Sequence, residues 1–290
     1  MKDFYLINDD EDFDEWYDKY ALIYKIDRRL TYLESIIDQL NLENRRKCPI
    51  CGESCIEFEP FGSLLFITDQ CPHCGSLARQ RSLYLIMKRE MNILNETKNI
   101  KILHFAPEPP IYMLFDEKDN VDYIPVDLNK ENFKKELFFF TCGVTSKYFE
   151  DSQNYIKEEM DVQDIPYEDN SFDYLIINHV LEHVPHDKKA MSEIYRVLKP
   201  GGTALISVPI GGKITNEDER INTPELRLKY YDDSTHLRLY GRDLKEKLED
   251  CGFEVEEYFN EEYFSKEEKE LYNLPDDEYQ YVCNVPFKQH

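Results

Sequence analysis

Three groups of residues in this 290-residue chain have types and spacings that could do chemistry. The first is Cys48-Pro-Ile-Cys51 and Cys71-Pro-His-Cys74, two Cys-x-x-Cys knuckles separated by nineteen residues, each followed by a glycine, Gly52 and Gly75. Two residues between thiolates let both sulfurs converge on one ion, and the glycine lets backbone amides turn in behind them. Four thiolates in a tetrahedron at about 2.3 Å suit zinc, and with every position filled such an ion is structural. Disulfides or inert thiols are the alternative, which a reducing compartment argues against. His73 should point away, Cys55 is a conceivable alternate ligand, and Cys142, Cys251 and Cys283 are left over. The second group is Asp127 and Asp161, each at the end of a short apolar run. About twenty residues beyond the first strand's loop, Asp127 can accept hydrogen bonds from both hydroxyls of a ribose, with an ordinary helix cap as the plainer reading. The third is His179, His183 and His236. Histidine can take a proton near neutral pH. With Glu182, the same imidazoles could instead ligate a divalent ion. His183 taken alone more simply serves the fold.

These groups need elements to position them. Trp16, Tyr20, Ile23, Ile26, Leu30, Leu33, Ile37 and Leu40 recur in steps of three and four, which predicts a helix from Phe13 to about Asn44 with one apolar face. Such a helix must bury its stripe on the rest of the chain or on a second copy, as a homodimer seam. A second helix is expected from Ser76 to Asn92. From Asn99 onward short apolar runs alternate with helical stretches, the pattern of parallel α/β units. Seven strands are expected: Lys101–Phe105, Val121–Val126, Glu159–Asp161, Phe172–Ile177, Thr203–Val208, Phe253–Tyr258 and Tyr281–Pro286. The segments Glu131 to Ile156 and Gly211 to Ser234 are insertions, either of which could cover a pocket. The expected domains are 1–47, an acidic leader and amphipathic helix; 48–98, the four-cysteine zinc module with its following helix; and 99–290, the α/β domain.

Asp161-Val-Gln-Asp-Ile-Pro166, Asp169-Asn-Ser-Phe-Asp173, Asn178-His-Val-Leu-Glu-His-Val184 and Lys199-Pro-Gly-Gly202 follow one another in an order that resembles the second half of class I S-adenosylmethionine-dependent methyltransferases. The resemblance covers roughly Asn99 to the C-terminus. It implies a Rossmann-like seven-stranded methyltransferase fold, here preceded by a long helix and a small zinc knuckle. It also implies a cofactor site: the first loop at His104, Phe105, Ala106, Pro107 and Glu108; ribose at Asp127 and Leu128; adenine at Asp161 and Val162; and the methyl donor's face at Asn178, His179 and Val180. One departure stands out, because the family carries an acid followed by spaced glycines where this chain has Lys101-Ile-Leu-His-Phe-Ala-Pro-Glu108. His104 takes the place of the acid, and Ala106, Glu108 and Pro110 take the places of the three glycines. Glycines there allow close backbone approach to a cofactor. A subgroup of the family has a similar first loop and a segment like His236-x-Arg238-x-Tyr240-Gly241. For methyl transfer to a hydroxyl the general base is expected at His236 or His179.

Composition narrows the function. The 41% apolar fraction can fill a sizeable core. There is no run of about eighteen apolar residues, and Met1 to Asp10 lacks the pattern of a secretory signal. The expected location is the cytoplasm, with no membrane partner. A formal charge of −24 disfavours a phosphate backbone as substrate. The basic residues Arg45, Arg46, Lys47, Arg79 and Arg81 around the cysteines read most simply as a solvated face. The expected activity is methyl transfer to an oxygen or nitrogen of a small molecule or of a glycan sugar unit. The rivals are an RNA or protein methyltransferase docked through the zinc module, and a non-catalytic, degenerate binding protein. An NAD-dependent oxidoreductase fits less well, since its glycine fingerprint is missing.

Overall fold

The computed structural model describes residues 28–29, 46–55, 57–61, 68–131, 133 and 155–287. Apart from Arg28 and Arg29, the expected N-terminal helix lies outside the described residues, as do Cys142 and most of the segment from Glu131 to Ile156. Around the cysteines two small antiparallel ladders form: β1 (Arg46–Lys47) with β2 (Ser54–Cys55), and β3 (Glu59–Pro60) with β4 (Thr68–Gln70). The chain continues through α1 (Ala78–Glu90), β5 (Ile100–Phe105), α2 (Pro109–Tyr112), β6 (Val121–Asp127), β7 (Glu158–Glu159) and β8 (Phe172–Asn178). After a 3-10 turn at Leu181–His183 come α3 (Asp187–Val197), β9 (Leu198–Ser207), β10 (Ile210–Gly212), α4 (Pro224–Tyr231), β11 (Tyr240–Gly241), α5 (Leu244–Asp250), β12 (Glu254–Phe259), α6 (Asn260–Tyr263), α7 (Lys266–Tyr272) and β13 (Tyr279–Asn284).

Seven of these strands form one sheet in the order β12-β13-β9-β8-β5-β6-β7. Strands β5 to β9 are parallel, and β13 runs antiparallel between β9 and β12. A strand stands at each of the seven expected places, but the third is only Glu158–Glu159, so Asp161 lies beyond it and not at its end. The fifth starts earlier than expected, because Leu198 already pairs with Phe172 before a register shift. From β5 the chain moves out through β6 to β7 and then returns to the other side of β5 as β8. That reversal makes a switch point between β5 and β8, where the carboxyl ends of an open α/β sheet leave a crevice.

Both faces of the sheet are covered, which is why its strands read as apolar runs. The pleat divides them. Leu103 and Phe105 of β5 enter one cluster with Ala190, Met191, Ile194 and Val197 of α3 and Leu244 and Leu248 of α5. Ile100 and Ile102 enter the opposite cluster with Leu83, Leu85, Ile86 and Met87 of α1. The helix that follows the cysteine module therefore packs directly on the sheet.

The basic residues at Arg79 and Arg81 do not form a solvated face. Arg81 is 0% exposed and donates to the carbonyls of Asp69 (2.8 Å), Ser76 (2.6 Å), Tyr272 (2.8 Å) and Asn273 (2.9 Å). A buried guanidinium persists only when its donors are satisfied. Here they join the cysteine module to the turn after α7.

Candidate active site and metal centre

The four sulfurs of Cys48, Cys51, Cys71 and Cys74 lie within 4.8 Å of one another. Cys48 Sγ is 3.6 Å from Cys74 Sγ, and Cys51 Sγ is 3.9 Å from Cys71 Sγ. A tetrahedron with metal–sulfur bonds of about 2.3 Å has edges of about 3.8 Å, whereas a disulfide bond is about 2.0 Å. The donor set and its spacing thus fit a zinc ion. Both knuckles turn alike: Gly52 N donates to Cys48 O and Gly75 N to Cys71 O, each at 2.9 Å, with the two glycines at φ +79° and +73°. Ser76 Oγ lies 3.2 Å from Cys48 Sγ. His73 is exposed, and Cys55 lies outside the four-sulfur group.

At the sheet's switch point, Phe105 pairs with Val126 on one side and Ile177 on the other, and Ile177 pairs with Ile206. The residues one step on, Asp127, Ala106, Asn178 and Ser207, therefore line a single carboxyl edge. Two of the residues there carry left-handed backbone without being glycine: Ala106 at φ +46° and His179 at φ +52°. Each sits just beyond a strand that flanks the crevice. Conformations that cost energy tend to persist where function requires them. Ala106 thus keeps the backbone region that a glycine would adopt at its position, and its amide donates to Val126 O at 2.9 Å.

His104 sits one residue inside that edge, fully buried, with Nδ1 2.8 Å from Tyr123 Oη and Nε2 without a hydrogen-bond partner. Burial pushes its pKa down to about 3, so it is a neutral imidazole packed under the loop. Pro107 is buried. Glu108 is 7% exposed, and its Oε1 accepts from Arg79 Nε (2.9 Å) and Nη2 (2.7 Å). This two-pronged pair ties the loop to the first turn of α1. Arg79 had no signal in the sequence, because its partner is twenty-nine residues away. Asp127 accepts from Asn129 N at 2.9 Å; burial holds its carboxyl above the usual range despite that bond. Leu128 beside it is 70% exposed. Asp161 accepts from the backbone and side chain of Gln163, with Val162 buried next to it. Asn178 is buried, its Oδ1 accepting from Ser207 Oγ at 3.1 Å, and Val180 is half-buried.

The 3-10 turn after β8 brings Glu182 and His183 together with His236. Arg238 holds that turn, donating to Leu181 O (3.0 Å) and Val184 O (2.6 Å). Glu182 is 1% exposed, neither carboxylate oxygen has a hydrogen-bond partner, and burial pushes its pKa up to about 8. His179 Nδ1 is 3.6 Å and His236 Nε2 is 4.0 Å from Glu182 Oε1. His179 Nε2 is buried without a partner, and burial, reinforced by the charges of Arg79, His236 and His183, holds its pKa well below the ordinary value. His236 Nδ1 donates to Tyr231 O at 2.9 Å, which leaves Nε2 as the basic nitrogen. Tyr231 ends α4, so the segment Gly211 to Ser234 positions this imidazole.

Residues 120–206 match a family model described as a methyltransferase domain. The ubiquinone/menaquinone biosynthesis C-methyltransferase UbiE of Brucella canis is 43% identical over 65 residues, which cover 20% of this chain and 24% of that protein. The protein of the same name from Haemophilus ducreyi is 30% identical over 129 residues, covering 37% of this chain and 46% of that one. The chain thus spans less than half the length of either relative. Among solved structures, a SAM-dependent methyltransferase from Archaeoglobus fulgidus is similar at 16% identity and a TM-score of 0.46, over 71% of this chain and 94% of that one. Among the described residues no helix is long and apolar enough to cross a membrane. The matched segment carries β6 to β9 of the Rossmann-like seven-stranded sheet.

Proposed function

We propose that the chain is an S-adenosylmethionine-dependent methyltransferase acting on an oxygen or nitrogen of a small molecule or of a glycan sugar unit, with a structural zinc at Cys48, Cys51, Cys71 and Cys74. The observation that carries this reading is the single carboxyl edge formed by Ala106, Asp127, Asn178 and Ser207 at the switch point, with left-handed backbone at Ala106 and His179. S-adenosylmethionine would supply the methyl group from its sulfonium. In this reading Asp127 accepts from the two ribose hydroxyls, and exposed Leu128 offers it an apolar contact. Asp161 accepts from the adenine amino group, and the Val162 amide meets a ring nitrogen. The backbone from Phe105 to Glu108 approaches the cofactor closely, and Asn178, His179 and Val180 face the methyl donor.

Methyl transfer is an in-line displacement, so the protein must align the acceptor and, for a hydroxyl, take its proton. His236 and His179 are the candidate bases: the first has a free Nε2, the second is held neutral. The chain's acidity favours a neutral or cationic acceptor over RNA. The test is transfer of labelled methyl from S-adenosylmethionine into fractionated cell extract by the intact and Asp127→Ala proteins. Label entering a small-molecule or glycan fraction only with the intact protein supports the reading. Label confined to RNA or protein favours the docking enzyme. No transfer to any fraction, together with no cofactor binding, leaves a non-catalytic binding protein.

A further inference from the structure

We propose that Glu182, His183 and His236 form a second metal site, which binds a first-row divalent cation and presents it to an oxygen of the acceptor. One ligand atom from each residue lies within 4.8 Å of the others, although the residues come from two separate segments. The arrangement behind them is what metal-binding imidazoles need. His236 gives its Nδ1 proton to the Tyr231 carbonyl at 2.9 Å. Thr235 Oγ1 donates to Asp233 Oδ1 at 2.6 Å, so its oxygen is left to accept from His183 Nδ1 at 3.1 Å. Each ring is thereby fixed in the tautomer whose Nε2 carries a lone pair, the outer-shell pattern that orients metal ligands.

Glu182 supplies an independent indication. A carboxylate 1% exposed with both oxygens unpartnered is expensive to bury, and a cation beside it removes that cost. Arg238 is nearby, but its two terminal nitrogens donate to Leu181 O, Val184 O, Pro185 O and Glu217 Oε1, and its Nε lies 3.6 Å from Asp187 Oδ2. Bonds of about 2.1 Å place neighbouring ligands about 3.0–3.4 Å apart. The His236 Nε2 to Glu182 Oε1 separation of 4.0 Å therefore closes with a small side-chain rotation. Two imidazoles and one carboxylate select manganese, iron, cobalt or zinc over magnesium or calcium, which prefer all-oxygen shells. Three protein ligands leave coordination positions open. Exposed His183 puts those positions at the solvent side, where an acceptor hydroxyl can enter. With Nε2 of His236 serving the ion, His179, outside the three-ligand group, is left as the imidazole facing the acceptor. Ion binding stands independently of methyl transfer; only the ion's role toward the acceptor rests on that reading.

The experiment is titration of Co2+ into the full-length, zinc-loaded protein, followed by visible absorption. The expected result is one further equivalent of cobalt, giving d–d bands without the thiolate charge-transfer band of a cysteine site. His183→Ala, at an exposed position, should weaken that binding about a hundredfold or more, and Thr235→Val, which removes only the oxygen behind His183, about tenfold. Cobalt taken up solely with thiolate charge transfer, no uptake beyond the zinc, or unchanged affinity in both variants would overturn the site. Because cofactor binding is not the readout, failure here leaves the methyl-transfer reading standing.

Discussion

Replacing Ala106 with glycine should stabilise the protein, although it shortens a half-buried side chain. Ala106 holds φ +46°, where an L-residue with a Cβ is strained. That strain is about 1–2 kcal/mol. Glycine removes it but gains about 0.4–1 kcal/mol of unfolded-state freedom. The balance leaves up to about 1.6 kcal/mol, centred on about 0.8 kcal/mol, in favour of Ala106→Gly. For a chain of this size that corresponds to a rise in Tm of about 1–4 °C. Ala106→Val is the opposite perturbation, since a branched side chain is a poor fit at positive φ. It should lower Tm by several degrees and weaken S-adenosylhomocysteine binding. Thermal unfolding followed by circular dichroism, with the two variants scanned at one rate, reads both. An unchanged or lower Tm for Ala106→Gly, together with wild-type cofactor affinity in Ala106→Val, would refute the claim that this loop keeps a glycine-type backbone without its glycine.

Other perturbations read the connections around that loop. Arg79→Ala strands the Glu108 carboxylate at 7% exposure, and breaking a largely buried pair costs about 3 kcal/mol; adding Glu108→Gln should restore much of the loss in urea melts. His104 titrates near 6.5 when unfolded and is pushed down to about 3 by burial when folded. Its contribution is present above pH 6.5 and is lost as pH falls toward 3, so His104→Gln should flatten the decline in urea midpoint between those limits. Thiol modification by a mercurial should release one equivalent of zinc, Cys71→Ser should hold none at that centre, and both should lower Tm. Asp69 Oδ1, which accepts from Ala78 N at 2.7 Å, passes that loss to the start of α1 and so to Arg79.

The strands were legible because a parallel sheet covered on both faces writes each strand as a compact apolar run. The runs at Ile100–Phe105 and Phe172–Asn178, and the second half of β9 from Thr203 on, are of that kind. The gathering of four sulfurs was equally legible, since two knuckles impose it through local spacing alone. What local pattern could not carry was the partnership of distant residues. Arg79 looked like part of a basic surface because nothing near it in sequence names Glu108 as its partner. Arg81 looked the same until Asp69, Ser76, Tyr272 and Asn273 enclosed it. The loss of glycines at Ala106 suggested a changed loop, because residue type alone does not report φ. The Glu182, His183 and His236 group was visible as spacing, but its oriented tautomers depend on Tyr231 and Thr235 in and beside the intervening insertion.

The most direct test of the account is calorimetric titration of S-adenosylhomocysteine into the zinc-loaded protein and its Asp127→Ala variant. Hydrogen bonds to a charged group contribute about 1.5–3 kcal/mol. The account therefore predicts saturable binding by the intact chain that Asp127→Ala weakens about ten- to hundredfold. No binding by the intact protein, or equal affinity in the variant, would contradict it.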